Sequence, residues 1–234
     1  MNGLHHVGHL VHDMGEAIKL YRELGFTVSP PAYPVIPGVE PFGVANAHIY
    51  LDGGFIELVA LVDERLPSDA RPIPLHVPEE RRAGLVEAVR ATAAQVAGRL
   101  ELFEGLHILM FDTSDLDATA ARLDGHGGVH AVQREGELVR YFEFLGLPEG
   151  RVGFAETPSV VRVADHANSA RRLVSCELRV PDVGGFAERY ALYDGPVRVV
   201  GGAEEPAFSS YTVEVRSGPE RRADVLGASI VFQP

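Results

Sequence analysis

The sequence predicts an α+β fold of repeated β-α-β-β-β modules, with one extra helix inserted between the first two modules. Two observations predict this fold. Short apolar runs typical of strands alternate with segments of helical periodicity, and the opening pattern returns about one hundred residues later. At 234 residues, the chain is expected to form one elaborate domain or two small ones.

The first module is predicted within residues 1–62. Asp13 is a typical helix cap, and Gly25 suits the position just after a helix end. The prolines of residues 30–37 exclude regular structure there. Asp52-Gly53-Gly54 is a strong hairpin signal between two apolar runs. The predicted elements are a strand over 4–11, a helix over 13–24, a short strand over 26–29, and strands over 44–51 and 55–61.

Residues 63–104 are predicted to form a proline-rich linker and then an inserted helix that packs against the main fold. The second module is predicted within residues 105–158, because Gly105-Leu-His matches Gly3-Leu-His and an aspartate again precedes the helix. The predicted elements are the inserted helix over 79–100, a helix over 115–123, and strands over 106–111, 129–133, 138–144 and 151–156.

Residues 159–234 are predicted to be a divergent third module, in which no histidine stands at the start. Since three modules cannot pair within one chain, the odd one is expected to pair across a homodimer. The predicted elements are a strand over 176–180, a helix over 182–193, and three strands near 196–200, 208–216 and 222–233.

Charge and cysteine content exclude several classes of function. A net charge of −12 opposes binding to nucleic acid and to anionic membranes. The single cysteine, Cys176, excludes an intrachain disulfide framework. No apolar run approaches the ~20 residues that span a bilayer, and the N-terminus does not have the pattern of a signal peptide. A soluble, cytoplasmic protein is expected.

Three segments of the first module resemble a known family. They are Leu4-His-His-Val-Gly-His-Leu-Val11, Tyr21-x-x-Leu-Gly-Phe26 and Phe55-Ile-Glu-Leu58. These segments resemble the vicinal oxygen chelate superfamily and, within it, the glyoxalase-like branch. The resemblance implies paired modules whose sheets curl into a cup around a divalent metal. It also implies ligands from a histidine on a module's first strand and a glutamate on its last strand.

The resemblance implies metal ligands at His6 and Glu57 in the first module. Because a strand alternates its faces, His5 and His6 are not both expected to enter the cup. His6 is preferred because the small Gly8 shares its face, whereas the internal repeat keeps His5 open as the alternative. Glu57 lies in an apolar strand, where an unpaired carboxylate is costly and a divalent cation is a suitable partner.

The repeat implies His107 and Glu156 as the matching ligands of the second module, with Glu143 as an alternative to Glu156. Glu57 and Glu156 are also the candidate catalytic carboxylates. Two histidines and two carboxylates suit zinc, iron(II), manganese or nickel. If one carboxylate is absent, the set becomes the two-histidine, one-carboxylate triad of oxygen-activating iron enzymes.

Four further residues are candidates for binding substrate. His48 and Tyr50 share a face of their predicted strand with Asn46, although this face is also compatible with solvent exposure. Arg134 suits an anionic substrate, with a surface ion pair as the alternative. His166 lies in Asp165-His-Ala-Asn-Ser-Ala170, which resembles a family segment but has alanine and serine in place of proline and glycine.

Two functions follow from these expectations. The first is a metal-dependent isomerase, lyase or dioxygenase, in which a small substrate chelates the metal through adjacent oxygens and the metal acts as a Lewis acid. The second is a metal-free protein that binds and sequesters a small molecule in the cup. The absence of tryptophan counts mildly against the second, because capture by aromatic stacking favours large rings.

Overall fold

The structure, a computed structural model, describes residues 2–75, 78–123, 129–134, 137–144, 146–156 and 164–234. Within these residues the strands belong to a single mixed sheet. The strands are β1 (Leu4–Leu10), β2 (Ala32–Val35), β3 (Val44–Leu51), β4 (Gly54–Leu61), β5 (Arg71–Pro74), β6 (Gly105–Asp112), β7 (His130–Arg134), β8 (Glu137–Phe144), β9 (Arg151–Ala155), β10 (Ala170–Val180), β11 (Val197–Gly201), β12 (Ala207–Val215), β13 (Arg221–Val225) and β14 (Ala228–Gln233). The helices are α1 (Met14–Glu23), α2 (Glu79–Leu102), α3 (Leu116–Arg122) and α4 (Val183–Tyr193).

The first two modules have the same strand pairing. The strands lie in the order β1-β4-β3-β2 in the first module and β6-β9-β8-β7 in the second, and each first strand is parallel to its last. Asp13 and Asp115 cap α1 and α3 by accepting hydrogen bonds from backbone amides three residues on. β1 and β6 pair antiparallel, so the two modules form one curled sheet. The predicted α+β fold of repeated modules is confirmed.

The C-terminal strands are connected differently. Their order is β11-β10-β12-β14-β13, and β10 is parallel to β11, the strand that directly follows α4. The strand predicted near 222–233 is divided into two strands, β13 and β14. Leu226 and Gly227 take positive φ angles of 43° and 79° between them and reverse the chain.

The C-terminal strands extend the chain's own sheet, since β12 pairs with β6 through Phe208 and Leu106. The expectation that this segment must find its partner in a second chain has therefore lost its basis. The homodimer stays a prediction, which light scattering tests against the chain mass of 25.3 kDa.

Two predictions for the segment after α1 were wrong, the strand over 26–29 and the absence of regular structure over 30–37. Residues 26–29 are not a strand, whereas β2 forms inside the proline-rich segment and pairs in parallel with β5. Proline is tolerated in both because β5 is the edge strand and β2 forms only a single pair, Ala32 with Asn46, with β3.

The inserted helix α2 covers part of one face of the sheet. Its last turns bury Val96 and Leu100 against a separate apolar cluster on β1, β4, β6 and β9. The larger core lies on the other face, where α1 and the C-terminal strands pack. None of the helices in the described ranges is long and apolar enough to cross a membrane.

A buried polar chain links the first module to the C-terminal hairpin. His9 Nε2 donates to the Leu226 carbonyl at 2.8 Å, so its Nδ1 accepts from the Tyr21 hydroxyl at 2.8 Å. Tyr21 in turn bonds the Tyr211 hydroxyl at 2.9 Å. All three rings are fully buried, and burial lowers the pKa of His9 to about 4. The folded state therefore holds His9 neutral.

Candidate functional site

The face of the sheet that α2 partly covers, called here the cup face, carries two rows of side chains. Cross-strand pairing places each row on that face, because directly paired residues point to the same side. The first row is His48, Glu57, Gly8, Ile108 and Arg151. The second row is Tyr50, Phe55, His6, Met110, Gly153 and Glu143.

The first module contributes a cluster of two imidazoles around one carboxylate. His6 Nε2 lies 3.9 Å from Glu57 Oε2, and His48 Nε2 lies 3.8 Å from Glu57 Oε1. Asn46 donates to Oε1 at 3.0 Å and so orients the carboxylate. The side chains of His6, Glu57 and His48 are 13, 14 and 19% exposed. The cluster is thus largely sheltered from solvent but not fully buried.

His5 and His6 both reach this region, contrary to the alternation expected of a regular strand. The pairing of β1 with β6 shifts register between Leu4 and His6, which is a bulge that turns neighbouring side chains together. As a result, His5 Nδ1 and His6 Nδ1 lie 2.7 Å apart and share one proton. His6 Nε2 is the nitrogen that faces Glu57, and His5 supports the ring from behind.

Burial determines the charge of His6. It lowers the pKa of His6 well below the ordinary value, and the nearby His5, His48 and Arg151 act in the same direction. The charge of Glu57 opposes this effect but is the weaker influence. His6 is consequently neutral near pH 7, which is the form that donates a lone pair to a metal.

At the positions that match His6 and Glu57, the described residues of the second module carry no metal-ligating side chain. Relative to the caps Asp13 and Asp115, the position of His6 corresponds to Ile108, which lies over Gly8. Glu57 pairs with Gly8, and the residue at the matching place in the second module is Gly153, which pairs with Met110. A Cβ at Gly153 would meet the Phe142 carbonyl oxygen at 2.1 Å. The four-ligand set expected from the repeat is therefore not assembled.

His107 has a different environment from His6. Its Nε2 donates to the Phe103 carbonyl at 2.9 Å, and its ring stacks on Phe103 with centroids 4.1 Å apart. Glu156 also lies outside the cluster, since it accepts from Arg140 and from the Leu116 amide at the start of α3. The repeat predicted both residues as ligands, but its alignment places His107 opposite His5, one residue away from the position that matches His6.

The four substrate-binding candidates differ in where their side chains lie. His48 and Tyr50 lie on the cup face, with their rings stacked 5.4 Å apart. The side chain of Arg134 lies outside the described residues. His166 is used by the backbone, since Nδ1 accepts from the Thr27 amide at 3.0 Å and Nε2 donates to the Tyr50 carbonyl at 2.9 Å. Neither ring nitrogen of His166 is left for a substrate.

His166 is therefore expected to serve stability and not binding. Replacing His166 with alanine removes two hydrogen bonds at a nearly buried position, so the free energy of unfolding should fall by about 2 kcal/mol. Urea titration measures this loss, and His12→Ala, at an exposed position, is the control. Unchanged stability in His166→Ala would contradict the structural role.

Two functional candidates on the cup face were missed or underrated from sequence. Arg151 pairs with Glu143, the residue that sequence offered only as an alternative to Glu156. Alternation alone places Arg151 with Gly153 and Ala155 on one face of β9, but it does not say which face lines the cup. Only the pairing with β6 decides this.

The cluster has the donor chemistry of a divalent-metal site. Two imidazoles and one carboxylate form a set that zinc and iron(II) use. Ligand bonds of about 2.1 Å allow two donor atoms to lie up to about 4.2 Å apart, and both measured separations are shorter. In the described part of the chain, no three His, Cys, Asp or Glu side chains already stand in a metal-binding arrangement. Binding therefore requires these side chains to turn toward a common point.

Comparison with known proteins agrees with this architecture. A search of curated proteins finds no match. A hypothetical protein from Staphylococcus aureus has a similar structure over 100% of this chain and 99% of its own, with 10% identity and a TM-score of 0.65. A triple mutant of 4-hydroxymandelate synthase from Streptomyces coelicolor is similar over 92% of this chain and 71% of its own, with 13% identity and a TM-score of 0.53. The model of the glyoxalase-like domain matches residues 4–193, and the chain therefore belongs to the glyoxalase-like domain family.

Proposed function

We propose that the protein is a metal-dependent enzyme of the glyoxalase-like type that acts on a small, oxygen-bearing substrate. The observation that carries the proposal is the cluster in which His6 and His48 face the two oxygens of Glu57. These three side chains would hold one divalent cation, with zinc, iron(II), manganese or nickel as candidates. When bound, the cation supplies a Lewis acid for a substrate that offers two adjacent oxygens.

The chain's own residues then have separate tasks. Asn46 orients the Glu57 carboxylate, and His5 fixes the ring of His6 through its Nδ1 atom. Apolar packing by α2 keeps water from one side of the cup face. A Glu57 oxygen that is displaced from the cation would be the group beside the substrate that accepts or returns a proton.

Metal content tests the proposal directly. Protein purified without a histidine tag is expected to carry close to one divalent ion per chain by elemental analysis. His6→Ala and Glu57→Ala should lose the ion, and Asn46→Ala should weaken binding about ten-fold because it only supports a ligand. His12→Ala is the matched control at an exposed histidine. A native protein that takes up no divalent ion would contradict the proposal.

A second function is favoured by a separate observation. The second module has Ile108 and Gly153 where ligands would stand, and Val96 and Leu100 of α2 cover that part of the cup face. Such a half-filled, apolar cup suits a metal-free protein that binds a small molecule. Ligand binding that is unchanged by added chelator and by Glu57→Ala would support this alternative.

A further inference from the structure

Among the described side chains, the part of the cup face contributed by the second module carries the cation Arg151. Arg151, on β9, is paired through Nη2 with Glu143 Oε1 on β8. The two side chains are 37 and 19% exposed, so the pair is accessible from the cup. The charge of Arg151 is one of the influences that lower the pKa of His6, which agrees with its facing the cluster.

Arg151 and Glu57 lie at a distance that suits a small molecule. They are separated along the first row by Gly8 and Ile108, which is three strand spacings, or about 14 Å along the sheet. Both side chains rise from the same face of the sheet, as the cross-strand pairing requires. Between them Ile108 and Met110 form an apolar floor.

The ordinary role of such an arginine is a structural ion pair, and Arg140 is an example in this chain. Arg140 Nη1 donates hydrogen bonds to both oxygens of Glu156, and its Nη2 donates to both oxygens of Asp117. Two carboxylates therefore neutralise the charge of Arg140. With the described residues, Arg151 makes one such contact, with Glu143, from a group of five N–H donors. A partly exposed pair of this kind contributes little to stability.

We propose that Arg151 binds an anionic oxygen group of the substrate, a carboxylate or a phosphate, while the reacting end of the substrate lies at the His6–Glu57–His48 cluster. Arginine suits this task because its planar group binds two oxygens at once. Glu143 competes with the ligand and holds Arg151 toward the cup until the anion arrives. This inference rests on the proposed function for the position of the reacting end only.

The test observes the Arg151 side chain itself. In nitrogen-15 spectra, the Nε–H signal of Arg151, identified by its loss in Arg151→Gln, is followed during separate titrations with sodium acetate and inorganic phosphate. A saturable shift with acetate assigns a carboxylate, and one with phosphate assigns a phosphate group. The Nε–H signal of Arg140 should stay in place.

Two substitutions are expected to change the affinity for the anion in opposite directions. Glu143→Gln removes the competing charge and should tighten anion binding about ten-fold, whereas Arg151→Lys should weaken it about ten-fold. Arg140→Gln should leave the affinity unchanged. Circular dichroism confirms that each variant is folded, and Arg151→Lys retains the charge in case Arg151→Gln does not fold.

The outcomes separate this inference from the proposed function. An Arg151 signal that responds to neither anion, or an affinity that Glu143→Gln leaves unchanged, overturns the inference even if the protein holds a metal. Saturable binding with the expected response to Glu143→Gln sustains it even if metal analysis is negative. In that case the cup binds an anionic molecule without a metal.

Discussion

Substituting alanine for Gly227 is expected to lower the free energy of unfolding by about 4 kcal/mol, a loss that a domain of this size barely survives. Gly227 has a φ of +79°, and a Cβ there would lie 1.8 Å from the Glu104 carbonyl oxygen. That oxygen belongs to backbone, so it cannot move aside as a flexible side chain would. The preceding residue, Leu226, also accepts the bond from His9, so a shift of this turn disturbs the buried polar chain.

Gly53 provides the control for this prediction. It has a similar φ of +76°, but a Cβ there would meet nothing within 4 Å. Gly53→Ala should therefore show the conformational cost alone, about 1 kcal/mol. Urea titration of both variants separates the two contributions. Equal losses in Gly53→Ala and Gly227→Ala would show that the close approach to Glu104 contributes nothing.

Acidification is expected to destabilise the protein through His9. Its pKa is about 4 in the folded state and 6.5 when unfolded, so the unfolded chain binds more protons between these values. The contribution of His9 is complete above pH 6.5, falls as the pH decreases, and is lost by about pH 4. The difference of about 2.5 pH units amounts to about 3 kcal/mol.

The slope of stability against pH isolates this contribution. His9→Gln keeps a polar group beside Tyr21 but cannot take up a proton, so its stability should fall less steeply between pH 6.5 and 4 than that of the native chain. His12→Gln, at an exposed position, should retain the native slope. Parallel curves for His9→Gln and the native protein would contradict the prediction, whatever the carboxylates contribute.

Local signals predicted most of the elements correctly. Asp13 and Asp115 cap helices by the hydrogen bonds that their side chains were expected to make. Asp52-Gly53-Gly54 joins β3 and β4 with every residue pair in register. Such features depend on neighbours in sequence, so the sequence contains the information needed to predict them. The strand β5 was not predicted from the sequence. A strand tolerates proline where it lies at the edge of a sheet, and only the pairing of the strands shows that β5 lies there.

The candidate site was predictable only in its first half. His6 and Glu57 were chosen from strand alternation and the family resemblance, and the structure brings them together with His48. His107 was placed by aligning the repeat, but the cup position of the second module is held by Ile108. A shift of one residue moves a side chain to the other face of a strand, so an alignment of short apolar motifs cannot decide it.

The sequence by itself therefore determined the modules with their caps and turns, because each depends on spacing along the chain, whereas the choice of His6 and Glu57 also needed the family resemblance. Tertiary structure alone decided which residues meet. The bulge in β1 brings His5 to His6, the pairing of β6 with β9 brings Arg151 to the cup, and α2 covers the part of the cup face where the second module lacks ligands. The bulge forms where β1 pairs with the distant β6, and the other two arrangements also join segments far apart in the chain, so their geometry depends on how the whole sheet pairs and curls.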